Sequence, residues 1–248
     1  MLDVLDGVVA WFQDPANWRG EEGLVNRLVE HLLLTVTATG LALLIGLPLA
    51  VWLGHIGRGG LLAVNISNVG RAVPTFAVLL LLAIGPVGSG EFGPYGRAGL
   101  ATLVALMMFA LPPVITNAYV GIREVDRDTV EAARGMGMQG GQLLRRVELP
   151  LAMPLILTGV RLAVVQVWAT ATIAALVAGP GLGRIITLGF RRQDVSEVVA
   201  GALVVAVIAL LLEGGMVLAQ RRLDPVARAR RAAAGGATTL SAAGRSLQ

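Results

Sequence analysis

The chain has 248 residues, of which 55% are hydrophobic and only 15% charged, with a mean hydropathy of +0.74. Soluble domains carry about 25% charged residues and lack unbroken apolar runs of about 20, so the bilayer is the solvent that this composition suits. The basic charge is twenty arginines without a lysine, and there is no cysteine; disulfides and thiolate metal sites are excluded, and in a membrane chain such a balance sets orientation rather than nucleic-acid binding.

Residues 1–30 carry Asp3, Asp6, Asp14, Glu21, Glu22 and Glu30. A secretory leader starts with positive charge and continues into an apolar core, so this is an acidic external segment, with Val8, Val9, Trp11 and Phe12 as a patch against the outer surface of the membrane. Leu32 to Leu53 has no charge and, at about 33 Å as a helix, spans a hydrocarbon core. Four further spans are expected at 61–84, 99–120, 151–178 and 198–220. The second holds Asn65, Asn68, Arg71 and Pro74, the third Pro112 and Pro113, the fourth Arg161 and Gln166, the fifth Glu213. A Gly/Pro-rich loop separates the second and third spans, and Gly179-Pro180-Gly181-Leu182-Gly183 ends the fourth. The basic tail, 221–248, has no apolar periodicity and is expected to be disordered.

Five spans put the termini on opposite sides. With the N-terminus outside, twelve arginines fall on the inner side and six (Arg19, Arg27, Arg97, Arg184, Arg191 and Arg192) on the outer, which selects N-out and C-in. A sixth span, made by splitting the fourth segment, would reverse the tail. The 123–150 loop is then cytoplasmic, and a membrane protein whose largest internal feature is a folded cytoplasmic loop uses it to meet a soluble partner. Within it Asp128 can cap a short helix, with Glu131 reaching back, and Gly135 and Gly137 end that helix. Ala132 and Ala133 leave its surface open to close approach, Leu143, Leu144 and Val147 share a face flanked by Arg145 and Arg146, and Pro150 fits the first turn of the fourth span.

Other chemistry is poorly supplied. A phosphate-binding loop needs a lysine, and none is present. His31 and His55, at opposite ends of the first span, read as interfacial polar residues. Neither a hydrolase serine motif nor a dinucleotide fingerprint is present.

The order Glu131-Ala132-Ala133, then Gly137, then Val147-x-Leu149-Pro150 resembles the Glu-Ala-Ala loop of permease subunits of binding-protein-dependent ABC importers, with Val147 where isoleucine is commoner. Arg71-Ala72-Val73-Pro74-Thr75-Phe76-Ala77, Tyr119 to Asp126, Ala169 to Ala175 and Gly181-Leu182-Gly183 are similar to the osmoprotectant branch, which carries glycine betaine, carnitine or choline. The resemblance covers Asn26 to Gln220. It implies an all-α integral membrane fold: a five-helix permease bundle of the methionine-permease-like, type I importer kind, in a bacterial plasma membrane. It further implies that Asp128, Glu131, Ala132, Ala133, Gly137, Leu149 and Pro150 couple to an ATPase. The partners implied are two cytosolic ATPase subunits holding ATP and Mg, a second permease subunit (a copy or a paralogue), an external solute-binding protein or lipoprotein, and membrane lipid. This chain itself holds no cofactor. A related importer for amino acids such as methionine, and an ATP-independent channel or secondary transporter, are the alternatives.

Ionisable residues within spans face a bundle interior or a water-filled cavity, and prolines there mark helices that bend. Arg71, Pro74, Tyr119, Arg161, Trp168, Gly181 and Glu213 are therefore candidates for the translocation pathway or its gate. The aromatics Trp52, Phe76, Phe109, Tyr119 and Trp168 lack cage-like spacing, which assigns high-affinity recognition of a quaternary ammonium to the external protein.

Overall fold

A computed structural model describes residues 2–60, 65, 73–90, 93–96 and 98–224. The expected tail beyond residue 224, Arg71 and most of the first half of the 61–84 span lie outside the described residues. Among those described, every regular element is helical: α1 (Leu2–Gln13), a 3-10 turn (Pro15–Asn17), α2 (Leu24–His55), α3 (Thr75–Ile84) and α4 (Gly99–Arg123), then α5 (Arg127–Gly135), α6 (Gly140–Leu143), a π-helical turn (Leu144–Glu148), α7 (Leu149–Ala174), α8 (Gly183–Arg192) and α9 (Val195–Leu223). Among the described residues, four stretches are long and apolar enough to cross a membrane, Leu24–His55, Gly99–Arg123, Gly140–Val177 and Val195–Leu223. The 10-residue α3 is the described part of the remaining expected span.

The bundle centres on α2, α4 and α7, whose buried Leu34, Ala38, Ala42, Leu106, Ala110, Val114, Ala163, Val167 and Ala171 form one cluster. Lipid is as apolar as leucine, so such helices associate through close packing at small residues. At Gly159 a Cβ would lie 2.7 Å from the Asn117 Cβ and 2.8 Å from the Pro113 carbonyl, so α4 and α7 meet nearly backbone to backbone there.

Prolines inside the helices leave carbonyls without their usual donor, and in lipid those must be satisfied within the protein. Pro113 cannot bond Phe109 O; Gln166 of α7 donates to it instead at 3.3 Å. The Pro154 carbonyl, one turn before Thr158, accepts from Thr158 Oγ1 at 2.9 Å and from Gln220 of α9 at 3.4 Å. Gln166, which in sequence looks like an interruption of the fourth span, serves its proline-bearing neighbour.

Two expectations are corrected here. The N-cap of α5 is Asp126, whose Oδ1 accepts from the Asp128 and Thr129 N–H groups at 2.7 and 3.4 Å; Asp128 lies inside the first turn, where its charge complements the helix dipole. The capping box belongs to α6 instead, between Gln139 and Gln142. The long helix α7 starts at Leu149 with Pro150 in its first turn, and the wider π-helical turn, which tolerates the donor missing at Pro150, joins it to α6, so that helix is continuous from Gly140 to Val177 over 38 residues. Replacing Asp126 with alanine should destabilise α5 by about 1 kcal/mol, seen as roughly fivefold faster amide exchange over 127–135. Asp128→Ala should cost only a few tenths of that, about 0.3 kcal/mol; equal effects would refute the cap assignment.

Candidate functional site

The 123–150 loop stands off one end of the bundle on a small apolar base. Val125, Ile122 and Ile156 are buried, with Val130, Leu144 and Leu149 packed against them, and Ala133 and Leu143 are buried as well. The Glu-Ala-Ala triplet is thereby divided: Ala133 faces the bundle, while Glu131 and Ala132 face outward with Arg134, Gly135, Met136 and Gly137. Gly137 has φ +85°, the left-handed conformation that closes a helix C-terminus. Its N–H donates to Arg134 O at 2.9 Å, and Met138 N–H to Ala133 O at 3.2 Å. A Cβ on Gly137 would meet nothing of this chain within 4 Å. Of the seven residues expected to couple to a partner, Asp128, Glu131, Ala132 and Gly137 are exposed, whereas Ala133 is buried and Leu149 and Pro150, at the start of α7, are half-buried. Met136, 75% exposed beside them, is an apolar contact that the spacing did not single out.

Midway along the bundle, Arg161 of α7 and Glu213 of α9 form an ion pair at 3.6 Å. Arg161 Nε is buried without a hydrogen bond among the described residues. Thr158, one turn before Arg161, accepts at 3.1 Å from Gln220, about two turns after Glu213. These four residues make a polar seam between two otherwise apolar helices, and α9 is the least buried of the four candidate spans.

At the opposite end from the loop, the Gly179–Gly183 break is held by the start of α2. Glu30 Oε2 accepts the Gly181 N–H at 2.9 Å, and His31 Nδ1 accepts the Leu182 N–H at 3.2 Å. With Nδ1 an acceptor, Nε2–H donates to Trp168 O at 3.0 Å. The imidazole lies against the Trp168 ring, 4.2 Å between centroids, and Trp168 Nε1–H donates to Val205 O. Gly181 has φ +104°, and a Cβ there would lie 2.9 Å from His31 Nδ1. Neither histidine is a plain interfacial residue: His31 is fully buried, and His55, at the end of α2, bonds the buried carboxylate of Glu148.

The remaining candidates are dispersed. Tyr119 is at the loop end, its hydroxyl 3.0 Å from where a Cβ on Gly60 would stand. Pro74 is the exposed N-cap of α3, and Trp168 is packed in the core with Leu24, Leu182 and Ile185. Among the described candidates, only Gly181 and Trp168, joined through His31, and Arg161 with Glu213 are brought together. Sequence reasoning missed Glu30, Glu148 and the role of both histidines; the one available signal was polarity flanking a span.

Residues 42–228 match the family described as the inner membrane component of binding-protein-dependent transport systems. The chain is 30% identical over 82% of its length to the choline transport system permease protein of Bacillus subtilis, covering 89% of that protein. It is 35% identical over 79% of its length to the osmoprotectant import permease protein of Salmonella typhimurium, covering 80% of it. Among solved structures, an inward-facing methionine ABC transporter superposes with a TM-score of 0.67 at 21% identity, over 80% of this chain and 95% of that one. An amino acid ABC transporter gives 0.65 at 25% identity, over 81% and 94%.

Proposed function

Because the chain belongs to the inner membrane component family of binding-protein-dependent transport systems, we propose that it is the translocation subunit of an ATP-driven importer for quaternary-ammonium compatible solutes such as glycine betaine, choline or carnitine. The observation that carries the substrate class is the 30% identity, over nearly the whole length of the relative, to a protein named for choline transport. The methionine transporter likeness, at 21% identity, speaks for the fold.

The chain is an integral protein of the bacterial plasma membrane and a transport component rather than the ATPase. In our reading it crosses five times, with residues 1–30 outside, a transmembrane domain over 31–220 and the 221–248 tail inside. The outward surface of α5 docks on a cytosolic ATPase that holds ATP and Mg, one for each of two permease subunits, the second being a copy or a paralogue. An external binding protein delivers the solute. The Arg161–Glu213 seam supports a polar pathway beside α9, and the Gly179–Gly183 break supports a gate at the outer end; Arg71, Pro74, Tyr119 and Trp168 remain proposed pathway positions.

The test is uptake into proteoliposomes holding this chain with its ATPase and binding protein. Labelled choline, glycine betaine or carnitine should enter only with internal ATP, and methionine should not enter. Methionine uptake without the others would overturn the substrate class, and uptake without ATP would overturn the importer itself.

A further inference from the structure

Glu148 is a carboxylate that the fold buries immediately before Leu149-Pro150, and its partner is His55 Nδ1, from 93 residues earlier in the chain. The side chains are 7% and 18% exposed. A Cβ on Gly140, the first residue of α6, would lie 3.4 Å from His55 Nε2, so the imidazole is set between the start of α6 and the end of the π-helical turn. The elements that meet here also carry the apolar base of the loop, with Ala50, Ile122, Val125, Leu144 and Leu149.

A buried carboxylate without a partner is strongly unfavourable, so the segment carrying Glu148 stays tied to the end of α2. The direct route from the loop into α7 passes through the π-helical turn, a wider and less regular stretch than the helices on either side. Glu148 is the last residue of that turn, and His55 also lies beside Gly140 ahead of it, so the end of α2 meets the segment on both sides of the turn. At its other end the same α2 carries Glu30 and His31, which hold the Gly181 and Leu182 N–H groups. His31 and His55 are about 36 Å apart along the helix, and Pro48 lies between them without ending it.

We propose that α2 is a lever, with Glu148 and His55 as the joint at which displacement of the 127–143 hairpin enters it, and with Glu30 and His31 as the clamp that passes the movement to the Gly179–Gly183 turn. Glu148 and His55 are positioning residues, touching neither solute nor nucleotide. The lever rests on the reading of α5 as the ATPase contact.

The experiment uses the reconstituted complex. Wild-type uptake is first shown to need ATP; failure there would sink the importer reading and not the lever alone. Glu148→Ala leaves His55 without its carboxylate, and His55→Ala leaves a buried carboxylate alone, so either single variant can misfold. The double variant H55A/E148A leaves no orphan and keeps the test decisive, and the exchange H55E/E148H restores the pair in reverse. For a readout at the far turn, Phe190→Cys of α8 is added; it is exposed, and the chain has no other cysteine. Solute moved per ATP should fall about tenfold in H55A/E148A, within the range for changes to a coupling element. The ATPase should still co-purify, the labelling rate at position 190 should no longer change with nucleotide, and the exchange variant should recover both properties. Wild-type uptake by H55A/E148A would overturn the lever. So would labelling that still responds to nucleotide, or loss of uptake only in step with loss of the ATPase.

Discussion

Replacing Gly137 with leucine should lower ATP-driven uptake at least about a hundredfold, the loss expected when a contact at the centre of an interface is spoiled, while the chain still inserts and folds. Two separate costs must be told apart. The first belongs to this chain: a residue with a Cβ held at φ +85° is strained by about 1–2 kcal/mol, which loosens the end of α5 and no more. The second belongs to the partner. Around Gly137 the added side chain meets no atom of this chain within 4 Å, and Glu131, Ala132, Arg134, Gly135 and Met136 about it are all exposed. A leucine here projects into the space that a docked surface would fill. Gly141 is the control: it is exposed, free of neighbours within 4 Å and helical with ordinary φ, so Gly141→Leu should leave uptake near wild type. Co-purification of the ATPase separates the two costs. If Gly137→Leu retains both the ATPase and full uptake, α5 is not the docking element.

That contrast also shows what the sequence could reveal. Gly137 as a left-handed residue and Ala132 as a small exposed one were legible because their requirements are local and can be read within a few positions. The choice between Asp126 and Asp128 as cap was not, since both acids can cap and the entry angle from α4 decides. The apolar runs located four long helices because lipid imposes length and composition on each by itself. The polar partners stayed hidden. Glu148 and His55 are 93 positions apart, Gly181 and Glu30 are 151 apart, and Gln166 serves a carbonyl 57 residues earlier. Periodicity assigns a face to a residue and says nothing about which distant helix that face meets.

Arg161 and Glu213 should behave as one unit. Removing either charge leaves the other in the middle of an apolar bundle, where an isolated ion costs about 2.5–3.5 kcal/mol, so Arg161→Ala and Glu213→Ala should each cut the yield of folded protein sharply. The double variant leaves neither charge behind and should fold better than either single one, a coupling far from additive. Melting temperature and monodisperse yield in detergent would measure it; a double variant worse than both singles would mean that the two charges are held by other groups. Transport by the folded double variant then carries the functional question. The side chains are 28% and 44% exposed in the single chain, and a pair so open in hydrocarbon needs water or a second subunit over it. If the seam borders the solute's route, the double variant folds but transports poorly, and zwitterionic glycine betaine, whose carboxylate and ammonium each lose an opposite charge, should lose more than choline, a plain cation that loses an attraction and a repulsion together. An equal loss for both solutes would make the pair a fastening between α7 and α9 and move the route elsewhere.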